Sequence, residues 1–333
     1  MSVRHLNRVG GLLAVAAALG GASVACASKE PSAASPASIA EAQTFRFAPP
    51  NGTEFVRTDR RTREVAIVGA PLRRVENEEL RWKVRIESRG DEYRVNQDLA
   101  YISFARDGQT LAQGKVPQGI SAELVIDKNG DLMDVRGLDR TAEILRSLAA
   151  PGKEAEAEQA ITPEALRDIV SRRYRVLFGE TIGRRATAGS SWTITNPPGS
   201  FVSSRTVTVQ RQEPCDKAMC ARLKVDFQLD PRAVADAAVE VVKSRVIAAG
   251  GDPSKVTVRS ASYGMTGWML TEPETMLSHG ASLTEGGTVT VADPEQREIT
   301  VQVKGTTDIS YSYGAAPSAA RPAAPARSRV ASE

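Results

Sequence analysis

The chain has 333 residues, with 43 lysines and arginines against 40 aspartates and glutamates. Arg4, Arg8, Lys29, Arg321, Arg327 and Arg329 lie outside residues 44–313, as do Glu30, Glu41 and Glu333, so that body carries 37 charges of each sign. A neutral body excludes a dedicated nucleic-acid surface, which needs a basic excess, and an aromatic content of 5% disfavours base-stacking platforms and aromatic-lined sugar grooves.

Residues 1–25 have the layout of a secretory signal peptide: Arg4 and Arg8, an uncharged apolar run from Leu12 to Leu19, then small residues. The stretch Val9 to Ala25 is Gly- and Ala-rich and barely long enough to span a bilayer, so cleavage is expected rather than a retained helix. Ser23-Val24-Ala25-Cys26 resembles the lipobox of bacterial lipoproteins, with Ser23 where that family usually has Leu. The resemblance implies that Cys26 is acylated and becomes the membrane-anchored amino terminus. Ordinary cleavage at Ala25-Cys26-Ala27 is the alternative. Ala27 is not the Asp that retains such lipoproteins in the inner membrane of enteric bacteria, which implies an outer-membrane protein facing the periplasm. Residues 26–43, rich in Ser, Ala and Pro, read as a flexible tether.

From Thr44 the dominant signal is alternation of apolar and polar residues. Leu80, Trp82, Val84 and Ile86 alternate with Arg81, Lys83, Arg85 and Glu87. Strands this one-sided belong to antiparallel sheets with one wet face, and their charged face reads as solvated surface rather than an anion-binding stripe. In ELVIDKNGDLMDV the pair Asn129-Gly130 predicts a two-residue type I′ hairpin. Asp127, Asn129 and Asp131 also resemble the opening of a calcium loop. Leu132 then stands where a glycine is needed and no Glu closes the loop, so no metal is expected.

Helical spacing follows over Leu138 to Ala149 and over Thr162 to Phe178, the second opened by Thr162-Pro163-Glu164 as N-cap, N1 proline and first-turn acid. PGKEAEAEQA between them reads as a charged loop. A third helix is expected from Asp230-Pro231 to Gly250-Gly251, with Val234, Ala238, Val241 and Val242 on its apolar stripe. Before it, VSSRTVTVQRQ and ARLKVDFQLD read as hairpin strands with Cys215 and Cys220 at the neck of the loop. A redox pair needs two intervening residues at a helix start, and a zinc site needs two more soft ligands; a structural disulfide is the expectation. It closes a short loop and contributes about 2 kcal/mol. REITVQVKG adds another strand, Ile309, Tyr311 and Tyr313 pack on the last one, and residues 314–333 read as a disordered tail.

No catalytic motif is present: there is no nucleophile elbow, zincin motif, phosphate loop or dinucleotide fingerprint. His279, the one histidine beyond His5, reads as a partly buried strand or turn residue, and Trp82, Trp192 and Trp268 as core anchors. Glu78-Glu79 and Asp127, Asp131 and Asp134 read as solvated turn acids. Residues 44–313 are expected to form a single α+β domain in two intimate halves, a curved, half-barrel-like antiparallel sheet packed against two to three amphipathic helices.

The Cys26 motif, tether and one-sided strands together resemble uncharacterised lipoproteins of Gram-negative bacteria. The element order is similar, at the level of architecture, to the half-barrel superfamily of the outer-membrane lipoprotein carrier, in which sheet and helices enclose an apolar cavity. The expected function is therefore that of an exported, lipid-anchored envelope lipoprotein with a non-enzymatic binding or structural domain and no cofactor. Its rivals are a carrier of a lipid or other apolar ligand and a carboxylate-dependent hydrolase.

Overall fold

The structure is a computed structural model. It describes residues 43–314 except 72, 117–118, 148–151, 153, 198–199, 217, 237–251, 253, 255–256 and 293–297. Cys26, the tether, most of the third expected helix and the tail lie outside the described residues.

One antiparallel sheet of twelve strands takes up most of the chain. The strands are β1 (Thr53–Ile67), β2 (Arg73–Arg89), β3 (Glu92–Arg106), β4 (Gln109–Lys115), β5 (Ser121–Asp127), β6 (Leu132–Arg136), β7 (Ser191–Thr195), β8 (Val202–Cys215), β9 (Ala218–Leu229), β10 (Thr257–Thr271), β11 (Ser278–Ala292) and β12 (Glu298–Tyr313). The helices are short: α1 (Leu138–Ser147), α2 (Glu154–Ala160), α3 (Pro163–Tyr174) with a wider π-turn at Arg175–Gly179, and a helical start at 231–236.

The expected α+β class is therefore wrong; the protein is essentially all-β. Six strands run 15 to 17 residues, far beyond the alternating segments visible in the sequence. β1 hid the signal because its inner face carries Arg57, Asp59, Arg61 and Arg63, and β11 because Gly280, Gly286 and Gly287 dilute it. PGKEAEAEQA, expected as a loop, contains α2.

Strand order is β6-β5-β3-β2-β1-β12-β11-β10-β9-β8-β7, with β4 beside β3. The chain thus works outward from the sheet's middle to one edge, crosses through the helices to the other edge, and works back until β12 pairs with β1. Phe45 meets Trp192 of β7 at 6.2 Å, and Phe47 meets Tyr93 of β3 at 5.3 Å. Those strands are eight spacings apart, about 38 Å in a flat sheet. A three-residue segment spans them, so the sheet is rolled around residues 45–47. Backbone bonds hold that segment against the chain after α3: Phe45 N–H donates to Arg184 O (2.9 Å) and Gly183 N–H to Phe45 O (2.8 Å).

The inner face is the core. Leu80, Trp82, Val84 and Ile86 of β2 are buried on it as their alternation predicts, with Leu223 and Val225 of β9. Leu138, Ala142 and Leu145 of α1 and Leu166, Val170 and Tyr174 of α3 cover it near the β5–β6 end. Thr162 caps α3 as expected, its hydroxyl accepting from Ala165 N–H at 3.1 Å. Asp230 caps the third helical start in the same way, accepting from Arg232 and Ala233 N–H.

The outer face is polar, with paired charges such as Arg73–Glu64 and Arg94–Glu92. One rung of it is nearly uniform. Thr193, Thr206, Asp226, Thr266, Thr284, Thr306, Thr62 and Asn77 are successive partners across eight strands. Thr193 bonds Thr206, Thr266 donates to Asp226 and Thr62 to Asn77, each at 3.0 Å.

The β5–β6 turn differs from the two-residue type I′ form. Asp127 pairs with Asp131 around a three-residue loop, Gly130 N–H donates to Asp127 O (3.1 Å), and Gly130 alone in the loop has a positive φ, +89°. This is a type I turn closed by a left-handed glycine. The hydroxyl of Tyr174 donates to Gly130 O at 2.6 Å, and a Cβ on Gly130 would overlap Ile182 and press on Phe47. The glycine is thus required by backbone and by packing. Gly130→Ala is expected to cost about 3 kcal/mol, read as a lower urea midpoint at unchanged slope; an unchanged midpoint contradicts this account.

Candidate functional site

Polarity on the inner face changes along the strands. At one level Val209, Leu223, Met269, Ala281 and Ile309 are successive apolar partners from β8 to β12, and the rung then reaches Asp59 of β1 and Leu80 of β2. Two levels on, Arg205, Phe227, Met265, Glu285, Gly305 and Arg63 form the rung. The intervening rung ends in Arg61 opposite Glu78 of β2. From β8 to β12 one end of the concave face is therefore charged, while on β1 the charge runs along the strand from Arg57 to Arg63.

Five contacts organise the charged groups. Arg57 grips both oxygens of Asp59 at 2.6 and 2.5 Å, and Arg173 of α3 approaches Asp59 at 3.5 Å. Arg61 donates to Glu285 at 2.9 Å, and Tyr263 donates to the other Glu285 oxygen at 2.7 Å. Arg205, 3% exposed, pairs with Glu180 just past the π-turn. Gly305 makes room, since a Cβ there would lie 2.6 Å from the Glu285 carboxylate.

Burial would raise Glu285, but its bonds to Arg61 and Tyr263 hold it below the usual carboxylate range. Burial pushes Asp59 up against the pull of Arg57. Glu78 is pushed up to about 7, chiefly by burial, and its Oε1 has no hydrogen-bond partner. Arg63 Nε also lacks one. The rung continues from Arg63 to Glu76 and Arg106, which pair at 3.0 Å, so the described residues here carry Arg57, Arg61, Arg63, Arg106, Arg173 and Arg205 against Asp59, Glu76, Glu78, Glu180 and Glu285. With Glu78 partly protonated near neutrality, the cluster favours an anion and repels a metal cation.

A second cluster sits at the β8–β9 turn. Cys215 ends β8 at the neck of the turn and Cys220 follows two residues into β9, opposite Ala218 and Glu213 respectively, with Cα atoms 5.8 Å apart and sulfurs at disulfide distance. His279, partly buried on β11 as its sequence context predicts, meets them there. Its Nε2 is 2.8 Å from Glu272, its Nδ1 is 3.2 Å from Asp216, and its ring lies 5.2 Å from Tyr313. Glu272 holds the imidazole above its ordinary pKa, and His279 holds Glu272 below.

The other expected residues fall elsewhere. The Asp127 carboxylate accepts the N–H groups of Asn129 and Asp131, which explains the calcium-like spacing as a self-bonded turn. Asp134 pairs with Arg136, and Glu79 with Arg60 and Arg81. Glu78, expected in a solvated turn, is in β2 and largely enclosed. Trp82 and Trp192 are core residues. Trp268, expected there, lies on the outer face beneath the Arg222 guanidinium at 4.3 Å and over Gly280. Tyr311 and Tyr313 pack on Phe55 at 5.8 and 5.1 Å.

An apolar cavity of about 70 Å³ remains between Phe47, Phe55, Val84, Ile126, Tyr174 and Tyr311. No helix among the described residues is long and apolar enough to cross a membrane.

No family model and no curated protein matches the chain. Several solved structures show some likeness. A putative exported protein with a YmcC-like fold from Bacteroides fragilis is 10% identical over 78% of this chain and 97% of that one, with a TM-score of 0.21. DynF from the dynemicin biosynthesis pathway of Micromonospora chersina is 9% identical over 88% and 96%, at 0.17. A DUF1329 family protein from Desulfovibrio piger is 10% identical over 79% and 87%, at 0.14. At these TM-scores none carries an argument about this chain.

Glu78 and His279 both give up stability as pH rises, each over its own window. An unfolded Glu titrates near 4.3 and Glu78 in the fold at about 7. Ionised Glu78 therefore destabilises the fold increasingly as pH rises through that window. Glu78→Gln is expected to gain stability over the native chain across it, measured by urea titrations at several pH values; a constant difference between the two proteins would contradict the assignment.

His279 has its folded pKa raised by Glu272, with Asp216 and Tyr313 as its other polar neighbours. Its contribution is complete below the unfolded value of about 6.5 and lost as pH rises through the folded one. The stability deficit of His279→Gln should therefore be largest near pH 6 and shrink in alkali. A deficit that grows with pH would show that the neutral imidazole is the stabilising form.

Proposed function

We propose that the chain is an exported, lipid-anchored protein of the cell envelope whose body binds an anionic ligand at the charged end of the concave face and is not an enzyme. The observation that carries the binding reading is the enclosed arginine row with partners left over, Arg63 Nε and Glu78 Oε1. Enclosed ion pairs contribute little net stability compared with apolar packing of the same volume, so their retention over several rungs fits a recognition surface better than a structural one.

The amino-terminal sequence supports export and acylation at Cys26, with Ala27 favouring the outer membrane facing the periplasm. The Cys215–Cys220 pair supports an oxidising compartment. The described interior counts against a carrier of acyl chains, because its apolar cavity of about 70 Å³ falls well short of ligand pockets, which run to about 300 Å³ and more.

The second reading is a carboxyl-dependent hydrolase, favoured by Glu78 at about 7. Both oxygens of Asp59, the acid that raises Glu78 most, are held by Arg57, which leaves Glu78 as the proton-exchanging group.

One experiment covers anchor and site. Cells expressing the native chain, Cys26→Ala, or Arg61→Met/Arg63→Met are labelled with an alkyne fatty acid, and the purified envelope protein is examined by native mass spectrometry with ligand extraction. The native chain should be labelled and carry an anionic ligand, Cys26→Ala should lose the label, and the double variant should lose the ligand alone. Equal labelling of Cys26→Ala ends the anchor reading, and ligand retention by the double variant ends the site assignment.

A further inference from the structure

The geometry points to a thiol-gated transition-metal site at the β8–β9 turn, built from Cys215, Cys220 and His279. Their sulfur and ring-nitrogen atoms all lie within 4.8 Å of one another. A tetrahedral zinc ion bound at about 2.3 Å by sulfur and 2.0 Å by nitrogen brings its donors to within about 3.5 to 4 Å of each other, so a shift of about 1 Å completes the set. Asp216 directly follows Cys215 and reaches Nδ1, which makes Nδ1 the nitrogen on the cysteine side. Its carboxylate is 75% exposed and free to swing in as the fourth ligand. Glu272 holds Nε2 from behind at 2.8 Å and is itself fixed by the Thr275 hydroxyl at 2.6 Å. A carboxylate on the distal nitrogen is the usual outer partner of a metal-bound histidine, fixing the ring and raising its basicity.

The disulfide closes this site. With the sulfurs joined, neither can become a thiolate, and the two carboxylates sit on opposite ring nitrogens, where they cannot converge on one cation. A dithiol reductant opens it. Two electrons and two protons pass to the S–S bond, the reductant leaves as its own cyclic disulfide, and two thiols result. Zn²⁺ then releases both protons to solvent and takes two thiolates and the imidazole. Both cysteines are on buried, paired strand positions, and the bridge spans five positions of one hairpin. The sheet register does not depend on it, so the ligands stay in place on reduction. Soft thiolates with imidazole select zinc over calcium or magnesium.

The test uses Zn²⁺ as the probe. The full chain is reduced with dithiothreitol, desalted without oxygen, and titrated with Zn²⁺ against a chelating dye, with native mass spectrometry for stoichiometry and circular dichroism for strand content. The reduced chain should take up about one zinc, and the oxidised chain should take up none at this place. Cys215→Ser/Cys220→Ser should lose the site, and His279→Gln and Glu272→Gln should each weaken it by about tenfold or more, with strand content retained. No stoichiometric uptake by the reduced chain, uptake by the oxidised chain as tight as by the reduced one, loss of strand content on reduction, or a His279→Gln variant that binds as tightly as the native chain would each overturn the assignment.

Discussion

Phe45 and Phe47 hold together two parts of the sheet that would stand about 38 Å apart if it were flat. Phe45 sits on Trp192 of β7 and Phe47 on Tyr93 of β3, so the rolling of the sheet and its contact with the segment ahead of β1 are one fact. The helices follow from it. A roll whose edges are β6 and β7 leaves a seam, and Tyr174, reaching Gly130 in the β5–β6 turn, and Glu180, reaching Arg205 on β8, tie the two sides of that seam to the end of α3 and the π-turn that follows it.

From β8 to β12 the interior is built from two chemistries in series along the strands, and β1 carries charge through both. The apolar levels exclude water and supply the burial that stabilises the roll. The charged levels have the opposite balance, since each enclosed guanidinium or carboxylate gives up hydration that its partner only partly replaces. Glycine at 305 and the bidentate Arg57–Asp59 contact make that arrangement sterically and electrostatically tolerable. Glu78 is the group on which the remaining imbalance falls, and its raised pKa is the measure of it.

The local parts of this architecture were legible in the sequence. Leu80 to Ile86 announced β2 and its buried face, the segments flanking Cys215 and Cys220 announced a hairpin, and Thr162-Pro163 marked a helix start to the residue. The failures have physical causes. β1 faces the core with Arg57, Asp59, Arg61 and Arg63, so its period-2 pattern has no hydrophobic amplitude to detect. The asparagine of Asn129-Gly130 stays out of the left-handed region because the Asp127 side chain organises the turn as a three-residue loop. His279 could not be tied to Asp216 from sequence because the two are 63 positions apart and meet only through the sheet. Three amphipathic segments point to an α+β class, but a rolled sheet satisfies most of its apolar face by facing itself.

The pairing of β1 with β12 carries a kinetic consequence. Asp59 lies opposite Ile309, and nearly the whole body separates them in the chain. Contacts of such sequence separation form late, because the loop they close must be ordered first. During synthesis β1, fifteen residues long, exists as an open edge until the final strand emerges. A long apolar edge in that position would recruit a neighbouring chain; inward-pointing charge is one of the devices that prevents it. The guanidinium and carboxylate groups of β1 that line the finished interior thus also guard the unfinished one, keeping the middle of the sheet available for the strand that belongs there.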